Sequence, residues 1–261
     1  MLDDLHPILT QVKAESDVVI HPIGDLHYGS PQFNLKMWEK TLAELSKPGH
    51  YCVLVGDMIN NATKNSISNV YEETCSPSVQ KRWLAEQLKP YKDKILCGTG
   101  GNHERRSVKD VDDNPLYDVF SKLDIEERYR ENAAFLILRV NYDRRQDGKD
   151  RPTYVICVSH GAGNGMYIGS SANRVERFGM ALDGVDLVIT GHTHKPLTFP
   201  AAKLFVDSKN KKVLIRQFQV VTCSSYLEYG GYPIQKLLTP TAIKPNEIHL
   251  SIKGKEIKVI Q

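Results

Sequence analysis

The chain has 261 residues, 41% of them apolar and 25% charged, with a formal net charge of +3. That length suits one large α/β domain spanning 1–261 with a sizeable core, and the composition excludes a disordered or fibrous chain. The mild basicity admits an anionic substrate but lacks the dense basic face of a dedicated nucleic-acid binder, no basic start followed by an apolar run suggests a signal peptide, and no apolar run is long enough to cross a bilayer.

Residues 18–23 (VVIHPI) read as a short buried strand. Helical spacing follows over 33–45, and 51–55 (YCVLV) is a second buried strand. The polar stretch 60–69 reads as loop. Ser76 caps and Pro77 opens a helix that runs to 88. Residues 95–97 make a third strand, and 115–129 a helix with Leu116, Val119, Phe120 and Leu123 on one face. Two strands over 134–140 and 153–158 then flank the polar loop 143–150, with Arg144 and Arg145 at a solvated hairpin tip. A short helix over 173–182 and a strand over 185–190 come next. From Lys203 onward the pattern is hairpins: 207–212 joins two strands, with Lys209, Lys211 and Lys212 solvated, and Lys253-Gly254 turns between 248–252 and 256–260. There is no linker and no repeat. Strand–helix alternation followed by hairpins predicts two packed sheets with helices outside. The cysteines at 52, 75, 97, 157 and 223 are odd in number and lack C-x-x-C, which predicts buried reduced thiols and a cytoplasmic protein.

Chemistry-bearing residues gather where the apolar runs stop. GDLHYG (24–29) follows the first strand, GDMIN (56–60) the second and GNHE (101–104) the third; SHG (159–161) and GHTH (191–194) close two later ones. Asp or Asn beside Gly is ordinary turn chemistry when met singly. Five such pieces in order, each ending a buried strand, point instead to convergence, because ligands of open α/β sheets gather at strand carboxyl ends. Three oxygen donors (Asp25, Asp57, Asn102) and four imidazoles (His27, His160, His192, His194) suit divalent Mn, Fe, Zn, Ni or Co. Seven donors exceed the needs of one such ion, and a bridging carboxylate lets them hold two. In Asp-Leu-His and His-Thr-His the alternation turns both polar side chains to one side of an extended segment. His21, inside the first strand, reads as a core or edge histidine, and His6, His50 and His249 as surface residues.

GDLHYG, GDMIN, GNHE, SHG and GHTH, in that order, resemble the signature of the calcineurin-like metallophosphoesterases, over roughly residues 18–195 and with no position departing from the pattern. The resemblance implies a four-layer α/β/β/α sandwich of two mixed sheets flanked by helices, with a binuclear metal centre. It implies that Asp25, His27 and His194 hold one metal, that Asn102, His160 and His192 hold the other, and that Asp57 bridges. His103 would be the catalytic imidazole, and attack would be by water activated between the ions, Mn favoured, without a covalent intermediate. Arg105 and Arg106 directly follow GNHE. Either can contact a substrate phosphate, or be solvated or paired at a helix end with Asp110 or Asp112. Arg174 and Arg177 stand on the same footing, and Asn60 opens the polar stretch expected to rim the pocket.

Three functions remain to be weighed. One is a phosphodiesterase on nucleotide-like or nucleic-acid diesters. The second is a phosphomonoesterase, including a protein or nucleotide phosphatase. The third is a non-enzymatic scaffold. Intact ligands disfavour the scaffold. The family's protein phosphatases resemble GDxHG with a longer GDxxxRG second motif; GDMIN has no arginine there, which leaves the phosphodiesterase in front. A processive nuclease would need a DNA-binding cap, and only about 65 residues follow GHTH, so a nuclease of this kind is expected to be distributive or specialised.

Overall fold

A computed structural model describes residues 5–66, 69–142, 151–163 and 167–261. The loop 143–150, with Arg144 and Arg145, lies outside the described residues. Among the described residues two six-stranded sheets stack. One has the order β12-β11-β2-β3-β4-β5, from β2 (Val18–Ile23), β3 (His50–Leu54), β4 (Ile95–Thr99), β5 (Tyr129–Arg130), β11 (Glu247–Leu250) and β12 (Ile257–Ile260). The other has the order β1-β6-β7-β8-β10-β9, from β1 (Ile8–Val12), β6 (Ala133–Val140), β7 (Thr153–Ser159), β8 (Leu187–Thr190), β9 (Leu197–Asp207) and β10 (Lys212–Thr222).

β2, β3 and β4 run parallel, and almost all their residues are buried. Their apolar, β-branched runs are the composition that a strand covered on both faces demands. Pro22 is tolerated in a central strand because β11 pairs with β2 only from Val18 to Ile20. Between the sheets lies one apolar cluster, including Ile20, Val53, Leu136, Ile156, Ile189 and Ile248. A second lies between the first sheet and α1 (Leu35–Ser46), α2 (Pro77–Leu88) and α4 (Pro115–Lys122), around Trp38, Leu54, Leu84 and Phe120. A third joins the outer face of the other sheet to α5 (Ile168–Met180) through Val175, Val188 and Phe218. Three cores separate four layers, α/β/β/α.

Several boundaries differ from the sequence expectation, each for a local reason. The helix expected over 115–129 stops at Lys122, where Asp124 takes a left-handed backbone (φ 57°), and a 3₁₀ turn leads into β5. Ser76 stands at the N-cap of α2, yet its hydroxyl meets Ser78 rather than a backbone N–H. α5 starts five residues early, and β9 reaches back to Leu197. β1 was not expected; it is a single edge strand pairing parallel with β6. A further short helix, α3 (Glu104–Val111), begins inside GNHE.

Candidate metal centre

The ends of β2, β3, β4, β7 and β8 deliver every predicted ligand to one end of the stacked sheets. The local backbone is unusual. Asp25 (φ 52°), His27 (φ 48°), Asp57 (φ 51°), His192 (φ 71°) and His194 (φ 55°) all occupy the left-handed region. For a residue other than glycine this costs on the order of 1 kcal/mol or more, so the surrounding contacts must hold it there. Asp25 N–H donates to Gly56 O (3.0 Å) and His27 N–H to Asp57 O (2.9 Å), which ties the two Asp-bearing turns together.

Two donor sets result. In the first, Asp25 Oδ1 stands 3.2 Å from His194 Nε2 and 3.8 Å from His27 Nε2, and the two imidazole nitrogens are 3.1 Å apart. In the second, Asn102 Oδ1 stands 2.7 Å from His192 Nδ1 and 3.0 Å from His160 Nε2, which are themselves 3.2 Å apart. Asp57 Oδ2 lies between the sets, 3.2 Å from His160 Nε2 and 3.8 Å from His27 Nε2. Donors bonded to one ion at about 2.1 Å stand roughly 3–3.4 Å apart, so this spacing fits coordination. Two further observations support the fit. Asp25 Oδ1 is buried and makes no hydrogen bond, although its other oxygen accepts from His192 N–H at 2.8 Å. His160 Nδ1 faces the Val55 carbonyl at 2.7 Å; a carbonyl only accepts, so Nδ1 carries a hydrogen and Nε2 is the nitrogen turned toward the centre.

The charges reflect crowding. Burial opposes ionisation of His160, but the Asp57 carboxylate overrides it and pushes the imidazole up to about 10. Burial likewise opposes the rise of His194, which Asp25 brings about. Burial and the neighbouring His103 drive His27 well below its ordinary value, and burial with His160 lowers His192. Burial would raise Asp57, yet His103 and His160 hold it well below the usual carboxylate range.

His103 sits at the N-cap of α3 with both ring nitrogens engaged. Nδ1–H donates to Asn60 O (2.7 Å), and Nε2 accepts from Arg106 Nη2 (2.9 Å) and lies 3.8 Å from Asp57 Oδ2. Burial lowers it to about 4, with Asp57 acting the other way. Arg106 Nη1 donates to the same Asn60 carbonyl (2.9 Å). Asn60 therefore acts through its backbone, while its amide bonds Glu73. Arg105 is turned outward and donates to Asn132 Oδ1 (3.0 Å) instead of to Asp110 or Asp112. Arg174 is exposed and lies over Gly163, in the loop that follows His160.

Two important residues had no functional reading in the sequence. Glu104, 1% exposed, accepts the N–H groups of Asp57 (2.9 Å), Met58 (2.8 Å) and Gly101 (2.8 Å), binding the ends of β3 and β4 into one unit. Asn61 Nδ2 donates to His103 O (2.7 Å) and to Ser107 Oγ (2.8 Å). An acid directly after a ligand-bearing turn was the available signal for Glu104; for Asn61 there was none. His21 behaves as expected of a core histidine, bonding His50 at 2.9 Å, and His50 is thereby half-buried rather than a free surface residue.

No curated protein sequence matches the chain. A crystal structure of a conserved uncharacterised protein from Streptococcus pneumoniae TIGR4, described as a predicted phosphoesterase, aligns with 11% identity over 95% of this chain and 99% of that one, with a TM-score of 0.39. The model described as "Calcineurin-like phosphoesterase" matches residues 19–196, which hold both donor sets and His103. The match takes in more than half of the sequence, and the chain belongs to the calcineurin-like phosphoesterase family.

Proposed function

We propose that this protein is a binuclear metal-dependent phosphodiesterase acting on nucleotide-like or nucleic-acid diesters. Family membership supports phosphoester hydrolysis as such. The observation that carries the binuclear reading is Asp57 Oδ2, within 3.2 Å of one donor set and 3.8 Å of the other. In this reading Asp25, His27 and His194 hold one ion, Asn102, His160 and His192 the other, and Asp57 bridges. Mixed oxygen and imidazole donors favour Mn, and Fe, Zn, Ni or Co also fit. Two such ions supply Lewis-acid charge on the phosphoryl oxygens and an activated water.

The chain's own residues do the rest. Asn60 O accepts the His103 Nδ1–H, so Nε2 is the ring nitrogen that would have to take up a proton before it could pass one to the leaving group. Arg106, bonded to that nitrogen, brings a guanidinium to where negative charge develops. Electrostatics support a diester. A monoester binds as a dianion and a diester as a monoanion; the guanidinium beside His103 is that of Arg106, and the nearby Asp57 and Glu73 carboxylates offset its charge. The five free cysteines, four of them buried, support a reducing, cytoplasmic setting. No helix among the described residues is long and apolar enough to cross a membrane. Pairing of the C-terminal β11 with β2 supports one catalytic domain over 1–261.

The test is hydrolysis by Mn-loaded protein of bis-p-nitrophenyl phosphate, p-nitrophenyl phosphate, cyclic nucleotides and single-stranded DNA. A higher kcat/KM for the aryl diester than for the aryl monoester is expected. The reverse order would replace the phosphodiesterase with a phosphomonoesterase.

A further inference from the structure

The β9–β10 hairpin is longer than its sheet needs. β10 pairs with β8 only from Gln219 to Thr222, whereas β9 and β10 pair with each other all the way from Leu197–Thr222 to Asp207–Lys212. Ala201 and Phe218 are the last of its residues buried against α5. Beyond them, among the described residues, a two-stranded ribbon continues alone. Its cross-strand register puts every strand charge on one side, around the Phe205–Leu214 pair. Leu204 faces Ile215 and Val206 faces Val213 on one side; Lys203 faces Arg216 and Asp207 faces Lys212 on the other. The charged side satisfies itself, with the Arg216 guanidinium stacked 3.2 Å over the Phe205 ring and paired with Asp183. The aliphatic side does not: Leu204 is 74%, Val206 69%, Val213 63% and Ile215 69% exposed.

A strand face that carries aliphatic side chains and no charge is the pattern of a face made to be covered. Among the described residues nothing covers this face, and an isolated two-stranded ribbon is marginal in water. We propose that this ribbon is a homodimer interface, with the aliphatic faces of two copies stacked about a two-fold axis. Three features select a second copy of this chain over other partners. First, the patch carries no charge, so it offers a nucleic acid or an acidic peptide nothing to bind; the ribbon's strand charges all lie on the opposite face. Second, a two-fold contact places the same patch on both sides, and four branched aliphatics in two cross-strand pairs are self-complementary. Third, the area suffices. The four side chains leave on the order of 400 Å² of apolar surface per copy. Two stacked faces with their flanking backbone reach roughly 1,000 Å², the lower bound for a specific interface. Pairing through the free edge of β9 would leave both faces in water, so stacking is the arrangement that covers them. An antiparallel stack also keeps the basic tips, Lys209 and Lys211, at opposite ends.

The test uses the full-length, metal-loaded protein in sedimentation equilibrium over 1–100 μM, about the range in which interfaces of this size dissociate. A dimer is expected. The pair Leu204→Glu and Ile215→Glu should weaken it by about 100-fold or more, as charges buried at the centre of an interface do. The same variant should keep wild-type hydrolysis of bis-p-nitrophenyl phosphate, which also proves that it is folded. As an independent arm, Val206→Cys should cross-link copies with a short bismaleimide, and Leu214→Cys, on the opposite face, should not. A wild-type protein that stays monomeric at 100 μM overturns the proposal. So does a dimer unaffected by the double substitution, or equal cross-linking from both faces. Single-stranded DNA that protects Val206→Cys from the maleimide in a monomeric protein would reassign the face to nucleic acid.

Discussion

At the scale of single residues, position relative to the two donor sets decides what a substitution does. His103 touches both the Asn60 carbonyl and Arg106, yet lies outside the ligand sets proposed here. His103→Ala should therefore retain both metals and lose turnover by roughly 10²–10⁴-fold, the range of general acid–base help. The deficit should be largest for a nucleoside alkoxide and smallest for p-nitrophenolate, which departs without a proton; a deficit equal across leaving groups would remove the acid role. Asp57 and Asp25 differ in the same way. Asp57 lies in reach of both sets and Asp25 of one, so Asp57→Asn should cost more activity and more bound metal than Asp25→Asn, read by elemental analysis beside kcat. Equal losses with two ions retained would contradict the bridge. The imidazoles also predict a pH dependence. In metal-free protein His160 is raised to about 10, so it contributes stability in full below about 6.5, its unfolded value, and loses it as pH rises through 10. His27, His103 and His192 are lowered and act oppositely, losing their contribution as pH falls below 6.5. Thermal unfolding of metal-free protein should therefore be most stable near pH 6.5. Metal must displace the His160 proton, so its affinity should climb between pH 6.5 and 10, about tenfold per unit per proton released. Affinity that is flat over that window would mean that the His160 nitrogen is not a ligand.

At the scale of elements, the centre depends on how closely the ends of β3 and β4 approach. Gly56 (φ 81°) could carry no side chain without bringing a Cβ to 2.6 Å from the Gly101 nitrogen. A Cβ on Gly101 would fall on the Asp57 carboxylate and its N–H. Glu104 then locks the junction by accepting N–H groups from both turns. Gly101→Ala should consequently displace Asp57, reduce bound metal below one ion per chain and destabilise the fold by about 1–3 kcal/mol, as overpacking in a rigid site does. Equilibrium denaturation and metal content check both halves; an alanine variant that holds two ions would show that the turn yields more readily than its contacts suggest. These glycines were visible in GDMIN and GNHE as turn residues. Their use as mutual clearance was not, because it depends on two turns 45 residues apart meeting in space.

At the scale of the molecule, the C-terminal strands matter more than their distance from the motifs implies. β11 pairs with β2, the strand that leads to Asp25 and His27, and Ile248 and Leu250 fill the core between the sheets. A chain truncated after Pro245 should lose cooperative unfolding and metal binding together, although residues 19–196 remain. Cooperative unfolding of the truncated chain at the wild-type midpoint would make the last two strands a dispensable addition.

What the sequence determined by itself was local and chemical. Buried β-branched runs named the strands at 18–23, 51–55 and 134–140, and glycine beside Asp, Asn or His marked where each strand stopped and a donor began. Strand carboxyl ends converge in open sheets, so the seven donors could be grouped from order alone. Tertiary structure decided everything that depends on distance between segments. It separated Arg106, against His103, from Arg105, turned to Asn132, which adjacent positions cannot do. It gave Asn60 a backbone role and Glu104 a bracing one, because hydrogen-bond partners 43 to 47 residues away are invisible to a local pattern. It also showed the aliphatic face of the β9–β10 ribbon without a cover among the described residues. Alternation in the sequence says that one face of a strand is apolar; only the packing of the whole chain says whether anything lies against it.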